Sequence, residues 1–315
     1  VKFQRGRTDA GFFSSAKALT LPVGPALDPS GIRGYPIDMR VKASAPRWPP
    51  EWQDRLDHHY VVLVQYGLGC WERFVAGEGE KWLDVAVSVG EHLLHKQQED
   101  GAWLNQWPLR HTFFLDAPWK CAMAQGEGAS LLVRLHLQTG ESAFADAARR
   151  ALEPLYHPSS AGGVSARLDG APWPEEFPTD PPALVLNGAI FSWWGMRDVA
   201  VGLQDERAAR AFDEGVNSLA ANLHRFDTGS WSLYCLRSFP VAPIASSFYH
   251  ALHIAQLEAM NSLAPRAEFH RTRQRWIRYF ESSPLRWRAL ARKIAFRLVV
   301  PRNPVLAARL PWAHG

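Results

Sequence analysis

The chain has 315 residues, 47% of them apolar and 21% charged, a balance that excludes a disordered polymer-like chain and leaves room for a sizeable core. Its cysteines, Cys70, Cys121 and Cys235, lie far apart with no CxxC or Cys/His ligand spacing, so neither a disulfide framework nor a structural zinc site is expected. The net charge of +4 is uneven: from Arg266 onward twelve Lys and Arg face Glu268 and Glu281, making that block +10 and the remainder −6.

Residues 1 to 50 contain turn-rich stretches, PVGPALDPSG and SAPRWPP, with no sustained helical period, and read as an extended N-terminal arm. No apolar run reaches the ~18 residues of a membrane-spanning helix, and VKFQRGRTDAG lacks a secretory pattern, so a soluble, cytoplasmic protein is expected. From Glu51 the pattern becomes helical. EWQDRLDHHYVVLVQYGLGCWERFVAG, EKWLDVAVSVGEHLLHKQQ, PWKCAMAQGEGASLLVRLHLQTG, SAFADAARRALEPLY, PALVLNGAIFSWWGMRDVAVG, DERAARAFDEGVNSLAANLHRF, SSFYHALHIAQLEAMNSL and RAEFHRTRQRWIRYFESS each predict a helix, by length, apolar spacing or end caps.

The helices alternate in kind. The first, third, fifth and seventh are apolar on most faces, while the second, fourth and sixth carry one apolar stripe, as expected of inner helices backed by outer ones. GEKWLDVAVSVGEHLL also resembles GESAFADAARRALEPL at an offset of 62, with Asp84 over Asp146 and Glu91 over Glu153, and EDGAW finds a partner in FDTGSW. A helix pair plus a Gly-turn hairpin repeating in this way predicts hairpins stacked round an axis. The expected fold is mainly α, an incomplete (α/α) toroid over residues 51–283 with one open cleft. Residues 284–315 form a basic tail, in which RWRALARKIAFRLVV predicts an amphipathic helix able to touch an anionic surface or to dock on the body.

The stretch WPEEFPTDPP sets Glu175 and Glu176 among four prolines, directly before the apolar run ALVLNGAIFSWWGM. Proline locks φ and pushes its predecessor toward extended backbone, so this is a stiff loop that holds its carboxylates in place. Tryptophans at predicted loops, Trp103, Trp107, Trp119, Trp173 and Trp231, are candidates for stacking on sugar faces, two or three of them at most. Polar residues within apolar helices are sharper pointers, because an unpaired buried polar group costs about 1–3 kcal/mol. Gln125 and Glu127 lie among small residues in AMAQGEGASLL, Asn187 stands alone in ALVLNGAIF, and Tyr249, His253 and Gln256 are spaced i, i+4, i+7 along one helix.

The runs AMAQGEGASLLVR, PWPEEFPTDPPALVLNG, FDTGSWSLYCLRSF and SSFYHALHIAQLE resemble, in order and spacing, the C-terminal catalytic domain of the D-glucuronyl C5-epimerases. Those enzymes convert D-glucuronic to L-iduronic acid residues within heparan-type polysaccharides. The resemblance implies an incomplete (α/α) barrel, catalytic roles for Glu176, Tyr234 and Tyr249, and substrate contacts by Asn187, Arg237 and His253. Phe177 stands where animal members carry a tyrosine. The expected activity is a polysaccharide uronate C5-epimerase acting on a heparosan-like or related bacterial polymer. A uronan lyase, a glycoside hydrolase working with two carboxylates and a non-catalytic polysaccharide-binding protein are the rival readings.

Inverting C5 of a uronate requires removing a proton α to a carboxylate and returning one to the opposite face. A guanidinium matches a carboxylate in bidentate fashion, which makes Arg237 the expected clamp for the carbanion charge, with His253 sharing that task. Glu176, shielded by Trp173 and Phe177, is the expected proton carrier on one face, and Tyr234 or Tyr249 on the other. Gln125 is a further expected sugar contact, and Glu175 is assigned to solvent or a structural hydrogen bond. No metal and no redox cofactor is expected. The expected partner is an acidic polysaccharide rather than nucleic acid, with peripheral membrane contact through the basic tail and a homodimer left open.

Overall fold

The structure, a computed structural model, describes residues 34–47, 59–110, 112–303 and 305. Among these residues helices dominate: α1 Tyr60–Val75, α2 Lys81–Lys96, α3 Ala122–Thr139, α4 Ser142–Ala151, α5 Leu186–Leu203, α6 Glu206–Asn222, α7 Ser247–Leu263, α8 Ala267–Glu281 and α9 Ser283–Val299. Two short antiparallel hairpins interrupt them, β1 Leu109–Arg110 with β2 Phe114–Leu115, and β3 Ser165–Leu168 with β4 Ala171–Pro174. Helix starts follow local chemistry. The Asp205 carboxylate accepts from Ala208 N at 2.9 Å and the Ser246 hydroxyl from Tyr249 N at 3.3 Å, each satisfying a backbone donor that a first helical turn leaves open. The helix expected from Glu51 runs from Tyr60, and residues 51–58 lie outside the described set.

The inner helices α1, α3, α5 and α7 pack side by side in that order, and α2, α4, α6 and α8 each back the inner helix that precedes them. The alternation expected from the sequence is thus the incomplete (α/α) toroid itself. The α3–α5 crossing is close because both helices present glycine there: a Cβ on Gly195 would lie 2.3 Å from the Gly126 carbonyl oxygen. Behind that crossing the fully buried Arg134 and Asp198 pair at 2.6 Å, tying α3 to α5. The two turns matched in sequence share one construction. Asp100 Oδ1 accepts from Ala102 N at 3.0 Å and Asp227 Oδ1 from Gly229 N at 2.8 Å, and the tryptophan that follows each turn is fully buried.

The expected N-terminal arm falls mostly on residues outside the described set, 1–33 and 48–50. Residues 34–47 are docked on the helices: Tyr35, Ile37, Met39 and Ala43 are buried, and Glu72 of α1 accepts from Tyr35 N at 2.6 Å and Met39 N at 2.8 Å. Helix α9 also touches the body, packing against α8 and α7, with Ala289 and Phe296 buried while Trp287 (71%) and Leu298 (80%) stay exposed. No described helix is long and apolar enough to cross a membrane.

Candidate active site

A cavity of about 510 Å³ opens where the inner helices begin. Val61 and Gln65 of α1, Met123 of α3, Asn187 of α5 and Tyr249 of α7 all line it from the first two turns of their helices. Four helix N-termini converge there, and each carries partial positive charge. An anionic ligand is therefore favoured at this end of the toroid. Leu109, Thr112 and Phe113 of the first hairpin join Trp107 and Trp119 in a largely aromatic wall, with Trp107 and Trp119 edge to face at 5.4 Å. These two are the loop tryptophans available to a sugar face.

The proline-rich loop sorts its two carboxylates by alternation, since successive residues of extended chain point to opposite sides. Glu175 points back and accepts from Ala183 N at 2.7 Å and Leu184 N at 2.8 Å, clamping the loop to the start of α5. This is the structural hydrogen bond expected of it. Glu176 points into the cavity, 8% exposed, and its Oε2 accepts from Asn187 Nδ2 at 3.4 Å and from the Tyr234 hydroxyl at 3.5 Å. Burial pushes the Glu176 carboxyl up to about 8, against the two hydrogen bonds that favour its ionised form. It is therefore mostly a neutral acid at neutral pH. The Tyr234 ring meets Tyr249 edge to face at 4.8 Å, and burial followed by the neighbouring Glu176 drives the Tyr234 phenol well above its ordinary range. Phe177 stacks on Phe113 at 4.9 Å and lines the cavity beside Glu176.

Glu176, Phe177, Asn187, Tyr234 and Tyr249 are thus brought together. Four other sequence-predicted residues are not among the residues lining the cavity. Arg237 lies three residues beyond Tyr234 on extended chain, a spacing that turns it to the other side. Its Nη1 donates to Thr179 Oγ1 at 2.9 Å and the Pro181 carbonyl at 2.7 Å, bracing the proline loop from behind. His253 sits about one turn below Tyr249, about 6 Å deeper along the helix axis, and is fully buried with Nδ1 3.0 Å from Ser232 Oγ. Gln125 faces the outer layer, where it accepts from Trp103 N and donates to the carbonyls of Gly101 and Ala151. Trp173 is fully buried, stacked on Phe226 at 5.5 Å and edge-on to Trp193 at 5.1 Å. None of these four lines the cavity: Gln125, Trp173 and His253 are buried behind it, and the half-buried Arg237 braces the loop.

Sequence reasoning missed the basic side of the cavity. Lys293, Phe296 and Arg297 of α9 line it, together with Arg302 just beyond and Lys42 from the docked N-terminal segment. The signal was the i, i+4 spacing of Lys293 and Arg297 around Phe296, which puts all three on one helix face. In sequence alone that face is indistinguishable from the rest of a basic tail. Gln65 was missed as well. It lines the cavity and donates from Nε2 to Glu127 Oε1 at 3.0 Å, and burial holds that carboxyl well above the usual carboxylate range.

Comparison with known proteins gives a consistent picture. Residues 97–278 match the profile described as D-glucuronyl C5-epimerase C-terminus. Over 210 residues the chain is 31% identical to a D-glucuronyl C5-epimerase of Caenorhabditis elegans, a match covering 61% of this chain and 34% of that protein. It is 23% identical over 171 residues to an uncharacterized protein of Methanocaldococcus jannaschii, covering 50% of this chain and 56% of the other. The chain therefore spans between one third and just over one half of the curated relatives it matches. In fold it is similar to an unsaturated glucuronyl hydrolase from Streptococcus agalactiae, at a TM-score of 0.51 and 16% identity over 72% of this chain and 59% of that one.

Proposed function

Because the chain belongs to the D-glucuronyl C5-epimerase C-terminal family, whose profile spans residues 97–278, we propose that it is a polysaccharide uronate C5-epimerase that interconverts D-glucuronic and L-iduronic acid residues in a heparosan-like polymer. The observation that carries this reading is the contact of Glu176 with the Tyr234 hydroxyl and Asn187, at three positions within the family match, in a cavity ringed by helix N-termini.

The reaction breaks the C5–H bond and leaves its electron pair in the adjacent carboxylate as an enediolate-like form. A proton then adds to C5 from the opposite face, so one proton leaves and one returns with no net oxidation. Glu176, neutral at neutral pH, delivers the proton on its own face, and its conjugate base accepts one there in the reverse direction. The second carrier is Tyr249 rather than Tyr234. The Tyr234 hydroxyl is already committed to Glu176, whereas Tyr249 stands one ring beyond it; Arg297, which interacts electrostatically with both phenols, supplies the cation a phenolate needs. Tyr234 links the two carriers. Asn187 Oδ1, buried and without a hydrogen-bond partner among the described residues, supplies an acceptor for a sugar hydroxyl. Trp107 and Trp119 offer apolar ring surface to the pyranose.

The test is incorporation of deuterium at C5 when a heparosan oligosaccharide is incubated with the protein in heavy water. Epimerised, labelled product is expected, with Glu176→Gln lowering the rate ~100- to 10,000-fold. Accumulation of an ultraviolet-absorbing unsaturated uronate would establish a lyase in its place. Binding without C5 exchange would leave a polysaccharide-binding protein.

A further inference from the structure

The match to the family ends at residue 278, and α9 begins at Ser283, yet α9 supplies one wall of the cavity. Its inner face carries Lys293 and Arg297 on either side of the buried Phe296, with Arg302 just past the end of the helix. The hydrogen-bond partners of the first two are neutral groups. Lys293 Nζ donates to the Ile244 carbonyl at 2.6 Å, and Arg297 Nη1 donates to Thr112 Oγ1 at 2.8 Å and the Val300 carbonyl at 3.4 Å. Neither forms an ion pair with a described carboxylate.

Partly buried cations are ordinarily paired, because desolvation without a counter-charge is costly. The strain is visible in their acidity: burial, then Arg297 and Arg302, pull the Lys293 ammonium down to about 7. Burial and Arg302 pull Arg297 down to about 10. Such a pair, aimed into a cavity that four helix N-termini already make positive, meets no described carboxylate and suits an anionic ligand. We propose that Lys293 and Arg297 form a carboxylate-binding wall contributed by the C-terminal helix, and that the group they hold is the C6 carboxylate of the uronate residue undergoing reaction. The identity of that carboxylate rests on the epimerase reading. The existence of an anion site does not. The wall takes over the role that sequence reasoning gave to Arg237, whose guanidinium braces the Thr179–Pro181 loop.

The location suits the chemistry. Arg297 interacts electrostatically with Tyr234 and Tyr249, so the cation that anchors the carboxylate stands on the phenol side of the cavity. Charge arriving in the carboxylate as C5 loses its proton would be met there by fixed positive groups, the preorganised stabilisation that dominates many enzymes. Lys293 and Arg297 also act as specificity residues, since a neutral hexose would leave them unpaired.

The experiment measures affinity by titration calorimetry for a heparosan tetrasaccharide and for its carboxyl-reduced counterpart, in wild type, Lys293→Gln, Arg297→Gln and Arg288→Gln. Arg288 is exposed, on the same helix but away from the cavity lining, and controls for loss of charge alone. Each inner variant should bind the tetrasaccharide about 10- to 100-fold more weakly, the loss of a charge-assisted hydrogen bond. The reduced ligand should be unaffected, and Arg288→Gln should match wild type. Equal losses in all three variants, or losses with both ligands alike, would overturn the proposal. A readout in the unmodified protein guards against variants that do not fold: wild type must prefer the tetrasaccharide to its reduced form by at least about tenfold at low salt, and a smaller preference also overturns it. Retained discrimination with no C5 exchange by wild type would sink the epimerase reading while leaving the anion wall standing.

Discussion

Gly188 lies in the first turn of α5 directly beneath Glu176. A Cβ added there would fall 2.6 Å from Glu176 Cβ, 3.2 Å from its Cγ and 2.8 Å from its Oε2. Carbon atoms rest at ~3.5–4.0 Å, so Gly188→Ala must drive the Glu176 side chain away by ~1 Å, and the clash at Cβ prevents the carboxylate from adapting by rotation alone. The prolines on either side and the Glu175 clamp on Ala183 and Leu184 hold the loop against that push. A displacement of ~1 Å at a reacting group costs ~100-fold in rate. Stability should change little, because overpacking costs ~1–3 kcal/mol while alanine in place of glycine in a helix returns ~1 kcal/mol. The assay pairs a thermal melt with deuterium exchange at C5 of a heparosan oligosaccharide. A melt within a few degrees of wild type and an exchange rate down ~100-fold are expected. A folded Gly188→Ala protein with exchange within threefold of wild type would refute the placement of Glu176 as proton carrier.

Glu175→Gln keeps the shape of the side chain but turns one backbone-facing oxygen into a donor, so one of the Ala183 and Leu184 amides loses its acceptor. A loss of ~1–3 kcal/mol in denaturant unfolding is expected, with a smaller fall in activity than Glu176→Gln causes. Unchanged stability would show that the loop does not depend on this clamp. The acidity of Glu176 sets a pH dependence: its folded value of about 8 is raised above the ordinary 4.5, so the contribution of its protonated form to stability is fully present below ~4.5 and is lost as pH rises through about 8. Glu72 and Glu175, also raised to about 8 by burial, act in the same direction. Unfolding free energy should therefore fall between pH 5 and 8, less steeply in Glu176→Gln. In kinetics, exchange that uses Glu176 as acid should fall above pH 8 and exchange that uses it as base should rise up to pH 8. Parallel profiles for the two epimers would contradict its role.

The helical layering was legible in the chain because burial is periodic. An inner helix of a toroid is apolar on most faces and an outer one on a single stripe, and α3 and α6 carry that difference in their composition alone. The rigid loop was legible for an equally local reason, since proline restricts its own φ and its neighbour's ψ whatever the rest of the chain does. The repeat at 62 residues likewise exposed the recurring helix pair and turn. Asn187 and Tyr249 stand out because a polar residue among apolar neighbours needs a reason to be there, Glu176 stands out by its proline cage, and Tyr234 is singled out only by the resemblance to the epimerase family.

Which of those reasons was a ligand and which a structural bond depended on depth along a helix axis and on the side of an extended strand, and both are properties of packing. Tyr249 and His253 share one stripe of α7, yet one turn of rise separates a cavity wall from a buried hydrogen bond to Ser232. Tyr234 and Arg237 share one segment, yet backbone alternation sends one toward Glu176 and the other to brace the proline loop. Glu175 and Glu176 are chemically identical neighbours told apart by that same alternation. The cationic wall was the least legible part, because Lys293 and Arg297 approach Tyr234 across roughly sixty residues of chain. A charge run on an amphipathic helix reads the same whether it faces solvent, a membrane or a cavity. Only the docking of α9 against α7 and α8 turns its inner face toward the open ends of the inner helices, where long-range contacts between segments, rather than any local pattern, decide what the charges meet.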